Sequence, residues 1–181
     1  MKKFTKIAVS VSLGLLGLFI FNSCSTVIPK NVEPVKNFDA QKYLGVWYEI
    51  ARFDYKFEKN LNNVTANYSL KENGTIKVTN KGYDYVEKEW KESIGEAKFQ
   101  GDESVASLKV SFFKPIWSGY HVIDLDENYQ YALVSGSSTK YLWILSRTTT
   151  IPEEIKIRFV EKAKSLGFPT QNLIWVDHSK N

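Results

Sequence analysis

Few residues of this 181-residue chain could do covalent chemistry, and their spacing argues against catalysis. There is one cysteine, Cys24, and there are two histidines, His121 and His178. A nucleophile needs a base beside it. His178 stands three residues before the end, where fraying is expected, and His121 lies in a predicted strand and can face either side. No pair of carboxylates recurs at a spacing suited to acid–base work. A metal or haem site needs more ligands than these. No catalytic residue, metal ligand or cofactor is therefore assigned. What stands out instead is Trp47 and Arg147, an indole and a guanidinium able to stack. Aromatic and lysine side chains also recur between the predicted strands.

The N-terminus has its own chemistry. Lys2, Lys3 and Lys6 precede an apolar run of 15 residues, Ile7 to Phe21. That length suits a secretory h-region and is short for a membrane span. Asn22-Ser23-Cys24-Ser25 follows, and a small residue before a cysteine at this point resembles a bacterial lipoprotein box. The resemblance implies cleavage before Cys24, with lipid attached to it. Residues 1–23 are accordingly read as signal peptide and residues 24–37, with Pro29 and Pro34, as a lipidated tether. Ser25 is not the acid that marks inner-membrane retention in some bacteria, so the implied address is the periplasmic face of the outer membrane.

The whole chain carries 24 basic and 20 acidic residues, a net charge of +4. Residues 1–23 hold three lysines and no acid, so the remainder has 21 against 20, or +1. Nothing in that balance suggests nucleic acid as a partner. With Cys24 acylated no thiol is left for a disulfide.

From residue 45 to 148 the pattern is short strands separated by turn signals. In 63–70, Val64, Ala66, Tyr68 and Leu70 alternate with polar residues, and Asn73-Gly74 reads as a hairpin turn. Similar runs occupy 75–81, 94–99, 105–113, 120–125, 129–134 and 141–146. With the strand opening at Gly45 they make eight, which suits a closed up-and-down barrel holding side chains or one small ligand. A helix opens at Pro152-Glu153-Glu154 and ends at Gly167, with Ile155, Phe159, Ala163 and Leu166 at helical spacing. A last strand is expected at Leu173 to Val176.

Three separated motifs, Gly45-x-Trp47-Tyr48, Asp126-x-x-Tyr129 and Arg147, together with this element order, resemble the lipocalins over 38–177. Phe38-Asp39, Ala51-Arg52-Phe53, Lys109 to Phe113 and Tyr141 to Arg147 resemble the bacterial outer-membrane lipoprotein branch, whose animal relative is apolipoprotein D. The expectation is an all-β, eight-stranded antiparallel barrel with a C-terminal helix packed outside, and a tail at 178–181.

Alternating strands put Trp47, Asp126 and Arg147 at one end, where the resemblance implies a structural floor of arginine over tryptophan. The other end is a mouth formed by roughly 53–62, 82–89, 114–119 and 135–140. It would carry Phe53, Tyr55, Phe57, Tyr83, Tyr85 and Trp117, with Lys56, Lys59, Lys81 and Lys114 to meet an anionic head group. Parity from Arg147 turns Leu145, Trp143 and Tyr141 inward. Val64, Ala66, Ile76 and Leu108 would join the wall, with Gly95 and Ala97 leaving room. The ligand-binding residues expected are Trp143, Trp117, Tyr68, Val78, Val110, Phe112, Phe53 and Tyr55. Glu49 is included as a polar contact unless a bulge turns it outward. The partners implied are a small hydrophobic ligand, fatty acid or lysophospholipid, and a membrane, with a homodimer left open. A lipid-modifying enzyme or a purely structural envelope lipoprotein with a filled barrel are the alternatives.

Overall fold

The computed structural model describes residues 26–179; Cys24 and the segment 1–23 read as a signal peptide lie outside them. The elements are α1 (Ala40–Tyr43), β1 (Gly45–Phe53), β2 (Leu61–Leu70), β3 (Ile76–Asp84), β4 (Glu89–Phe99), β5 (Ser107–Phe113), β6 (Ile116–Leu125), β7 (Tyr131–Ser135), β8 (Leu142–Ser146), α2 (Glu153–Ser165) and β9 (Leu173–Trp175). Eight strands pair antiparallel in order. β1 pairs with both β8 and β2, so the barrel closes, and β9 adds to the upper part of β1. Closure leaves few strand edges for another chain to pair with.

Alternation divides the apolar residues into two layers. One lies inside the barrel and includes Trp47, Tyr68, Val78, Ala97, Leu108, Val122, Val134 and Leu145. The other lies on the outer face, where Ile123, Leu133, Leu142 and Ile144 meet Phe159 and Ala163 of α2. Glu153 and Glu154 in the first turn of α2 and Lys162 and Lys164 in the last suit its dipole. The helix ends in a Schellman motif: Phe168 N–H donates to Ala163 O and Gly167 N–H to Lys164 O, with Gly167 at φ +86°.

Two expectations about turns and tethers are corrected. In the β2–β3 turn only Gly74 has positive φ (+79°), and Gly74 N–H donates to Lys71 O. This is a type I turn with a glycine bulge rather than the two-residue Asn-Gly form. The segment expected to be a free tether is held against the barrel. Val35 N–H donates to Val122 O and its carbonyl accepts from Ala106 N–H. Val32 is buried in the outer layer, and Thr26 O accepts from Gln100 Nε2 at 3.1 Å. Residues 26–37 therefore form a strap over β5 and β6.

The two ends differ in composition. The lower connections (71–75, 100–106 and 126–130) carry Glu72, Asp102, Glu103, Asp126 and Glu127 against Lys71 alone. The upper connections (54–60, 85–88, 114–115 and 136–141) carry Lys56, Lys59, Lys88, Lys114 and Lys140 against Asp54, Glu58 and Glu87.

Candidate functional site

The site is built from the floor upward. Asp39 starts α1, its Oδ1 accepting from Gln41 N–H at 2.9 Å and Lys42 N–H at 3.4 Å, and α1 plugs the lower end. Trp47 is fully buried and donates Nε1 to Tyr43 O at 2.8 Å. The Arg147 guanidinium lies 3.9 Å from the Trp47 ring centre. It donates to four carbonyls: Val46 (2.8 Å), Lys42 (2.8 Å), Leu44 (2.9 Å) and Tyr129 (3.2 Å). Asp126 holds the adjoining turn by accepting from the backbone of Asn128, Gln130 and Tyr131. The hydrogen bonds of this set go to the backbone and hold its shape, which is what a structural floor requires.

Above the floor Phe38, Tyr43, Trp47 and Tyr68 pack ring against ring, with centroids 4.8 to 5.6 Å apart from Tyr43. Tyr120 links Tyr43 and Tyr68 through hydroxyl contacts of 2.7 and 2.9 Å. Burial pushes the pKa of all three phenols up, so they stay protonated and none serves as a base. Tyr68 thus forms the base of the interior space rather than its side. Val78, Val110, Phe112, Leu145 and Trp143 stand in the interior layer. Gly95 does not leave an empty place, because a Cβ there would come within 2.9 Å of the Phe112 ring.

Near the mouth lies a charged cluster that the sequence pattern alone does not resolve. In a regular strand Glu49 and Arg52, three apart, would face opposite ways. The β1–β8 register slips between Glu49 and Ala51, pairing Glu49 with Leu145 and Arg52 with the inward Trp143. This bulge at Ile50 brings both side chains inside. Arg52 Nη1 donates to Glu49 Oε1 at 2.7 Å, and Nη2 donates to Glu58 O (2.8 Å) and Leu61 O (3.0 Å). Trp143 Nε1 donates to Glu58 Oε2 at 3.2 Å. Burial, with Glu58 adding to it, raises the Glu49 pKa to about 8 against the pull of Arg52. Burial raises that of Glu58 as well. Glu49 is therefore mostly protonated at neutral pH in spite of its contact with Arg52. Tyr55 completes the rim, accepting from Tyr141 Oη at 2.8 Å and packing on Phe57 and Tyr141.

Other expected mouth residues lie elsewhere. Phe53 belongs to the outer layer beneath α2 and β9, not to the interior. Trp117 faces outward between Lys98 and Lys109, whose ammonium groups stand 4.6 and 5.5 Å from its ring. Tyr83 and Lys81 pack on Trp90 on the outer wall. His121 also points outward, beneath the strap, with Nδ1 3.1 Å from Ser107 Oγ, and burial lowers its pKa. His178 is not frayed: Nε2 donates to Glu49 O at 2.8 Å. A cleft of about 430 Å³ beside the upper part of β2 and β9 is lined by Lys59, Asn60, Leu61, Tyr85, Trp175 and Asp177, among others, and has a mixed polar lining. Among the described residues no group of three or more His, Cys, Asp or Glu side chains could hold a metal, and no helix is long and apolar enough to cross a membrane.

A closed eight-stranded barrel with an outer helix, a tryptophan–arginine floor and an apolar interior defines a lipocalin. The family model described as a lipocalin-like domain matches residues 38–178, and the chain belongs to that family. Outer membrane lipoprotein Blc of Escherichia coli (strain K12) is 50% identical over 159 residues, covering 87% of this chain and 90% of that protein. The protein of the same name from Vibrio cholerae is 47% identical, over 87% and 92%. Apolipoprotein D of Rattus norvegicus is 40% identical over 126 residues, 66% of each chain. Among solved structures, insecticyanin from Manduca sexta shares the fold with a TM-score of 0.68 at 18% identity, over 86% and 89% of the two chains.

Proposed function

We propose that this lipocalin is held at the outer membrane through acylated Cys24 and buries one apolar small molecule, a fatty acid or a lysophospholipid, in the upper half of its barrel. The observation that carries the reading is the division of the interior. The lower half is sealed by Trp47, Arg147 and the tyrosines, with Val78 beside Tyr68, while Val110, Phe112 and Trp143 line the part below the mouth. An acyl chain entering there leaves water at about 0.8 kcal/mol per methylene. The names of the bacterial relatives support the address at the outer membrane. Burial holds the interior phenols protonated, which supports burial of a ligand rather than its turnover as the mechanism.

Titration of the chain from Ser25 onward with lysophospholipid and with fatty acid, followed by tryptophan emission, tests the reading. Saturable quenching at one equivalent is expected. Linear, unsaturated change with every lipid would defeat it. Conversion of the bound lipid to a new species would move the protein to the enzyme class.

A further inference from the structure

We propose that the open end of the barrel is itself a membrane-docking face, whose loop tips enter the interfacial region of an anionic phospholipid bilayer with the mouth turned to the lipid. The proposal rests on the reading of Cys24 as the anchor and adds an orientation to it. Three of the four upper connections carry exposed apolar side chains or are flanked by them: Phe57 (60% exposed), Val86 (60%) beside Tyr85, and Phe113 (81%) with Ile116 (56%) at the ends of β5 and β6. Exposed apolar residues are ordinary on any protein, and Val46, Ile94, Ile157 and Trp175 stand exposed on other parts of this one, but the most exposed side chains of the barrel itself gather at the tips around one opening. Among the described residues the three lower connections present no exposed large apolar side chain, although Leu70 stands half-exposed where β2 ends.

Charge follows the same division. The lysine excess of the upper connections suits anionic head groups, and the acid excess of the lower ones opposes them. The tips are also held in place. Asp84 Oδ1 accepts from Val86 and Glu87 N–H at 3.0 Å each, and Lys91 pairs with the same carboxylate at 2.8 Å. Arg52 ties down the connection bearing Phe57 through the Glu58 and Leu61 carbonyls. The apolar side chains are thus presented without further ordering, which lowers the entropy lost on docking.

The strap supplies the direction. It runs from Phe38, bonded to Ser104 at the lower end, past Val35 on Val122, to Thr26 beside Gly119. Gly119 is three residues from Ile116, about 10 Å along the strand from the tip of the β5–β6 hairpin. Cys24 is two residues before Thr26 and can lie at most about 7 Å from it. Thr26, the first described residue, therefore lies on the outer wall of β5 and β6, near the hairpin that carries Phe113 and Ile116. Exposed Val27 adds apolar surface there. A lipid ligand would then pass between bilayer and barrel without crossing water.

The test uses the full acylated chain on vesicles of phosphatidylethanolamine and phosphatidylglycerol. Phe113→Cys and, separately, Glu127→Cys carry an environment-sensitive fluorophore; with Cys24 acylated each offers a single thiol. The label at 113 is expected to shift to shorter wavelength and to be quenched at least twofold by acyl-brominated lipid, while that at 127 stays water-like. Two water-like labels on protein that remains vesicle-bound would overturn the proposal. A label at 113 shielded by raising protein concentration without vesicles would overturn it too, since a second copy would then cover the tip. Mass measurement of the mature chain checks acylation beforehand. If Cys24 is unmodified the anchor reading fails alone. The docking face is then read by cosedimentation, with F113S/I116S expected to bind at least tenfold more weakly and equal binding overturning it.

Discussion

The floor and the mouth of this barrel are built on opposite principles. At the floor every strong group is satisfied: Arg147 spends its donors on four carbonyls and its face on Trp47, and Asp126 spends its oxygens on the turn. At the mouth two acids share one guanidinium, aromatic hydroxyls bond across loops, and apolar side chains face water. The contrast separates residues kept for the fold from residues available to a ligand, and it predicts which substitutions move stability and which move binding.

The largest expected effect is at the floor. Trp47→Ala removes a fully buried indole and should destabilise the protein by about 3–5 kcal/mol in a denaturant titration. Arg147→Ala should cost about 2 kcal/mol or more, from charge-assisted hydrogen bonds and the stacked ring, while leaving lipid affinity within a few-fold. A larger loss in affinity than in stability would place the arginine on the ligand and erase the contrast. Trp143→Ala works the other way: lipid affinity should fall roughly tenfold, equivalent to about 1.4 kcal/mol, with the fold retained. Unchanged affinity would remove Trp143 from the wall.

A pH comparison sharpens the mouth half. The Glu49 pKa is raised in the folded state from 4.5 to about 8, so the folded protein binds more protons than the unfolded chain between those values. The contribution is complete below pH 4.5 and is lost as pH rises toward 8. His121, with its pKa lowered by burial, acts in the opposite sense as pH falls through 6.5. The difference between wild type and Glu49→Gln reads this carboxyl together with its coupling to Glu58, whose pKa burial raises in the same sense. Wild type should lose stability relative to the variant from pH 5 to 8, and parallel curves would show that Glu49 is not buried as described. The smallest effect is expected at the rim, where Phe57→Ser should change stability by less than about 0.5 kcal/mol.

Much of the fold was legible because strands facing two different layers alternate. The eight strands, the outer helix and the inward set Leu145, Trp143, Val78 and Val110 all follow from period-two patterns and a single anchor, Arg147. What failed to be legible shares a cause, which is backbone pairing that leaves no trace in side-chain type. The bulge at Ile50 depends on the register against β8, so parity alone leaves Glu49 undecided and misses Arg52. A slip between Val110 and Phe113 on β5 likewise disturbs the register beside Trp117, which faces outward to two lysines. The strap reads as a tether because Pro29 and Pro34 suggest one, while its attachment uses main-chain bonds of Val35 and Phe38. Glu58 carried no signal in a loop of mixed charge; its half-buried place at the rim follows from the Arg52 bond to its carbonyl, which folds the loop inward.

Native mass spectrometry of the chain from Ser25 onward, with and without lysophospholipid and fatty acid, tests the central claim most directly. The division between a sealed floor and a receptive upper barrel predicts a one-to-one lipid adduct that Arg147→Ala retains and Trp143→Ala weakens. An intact fold with no adduct for any lipid would mean a filled barrel, and the mouth would then be as structural as the floor.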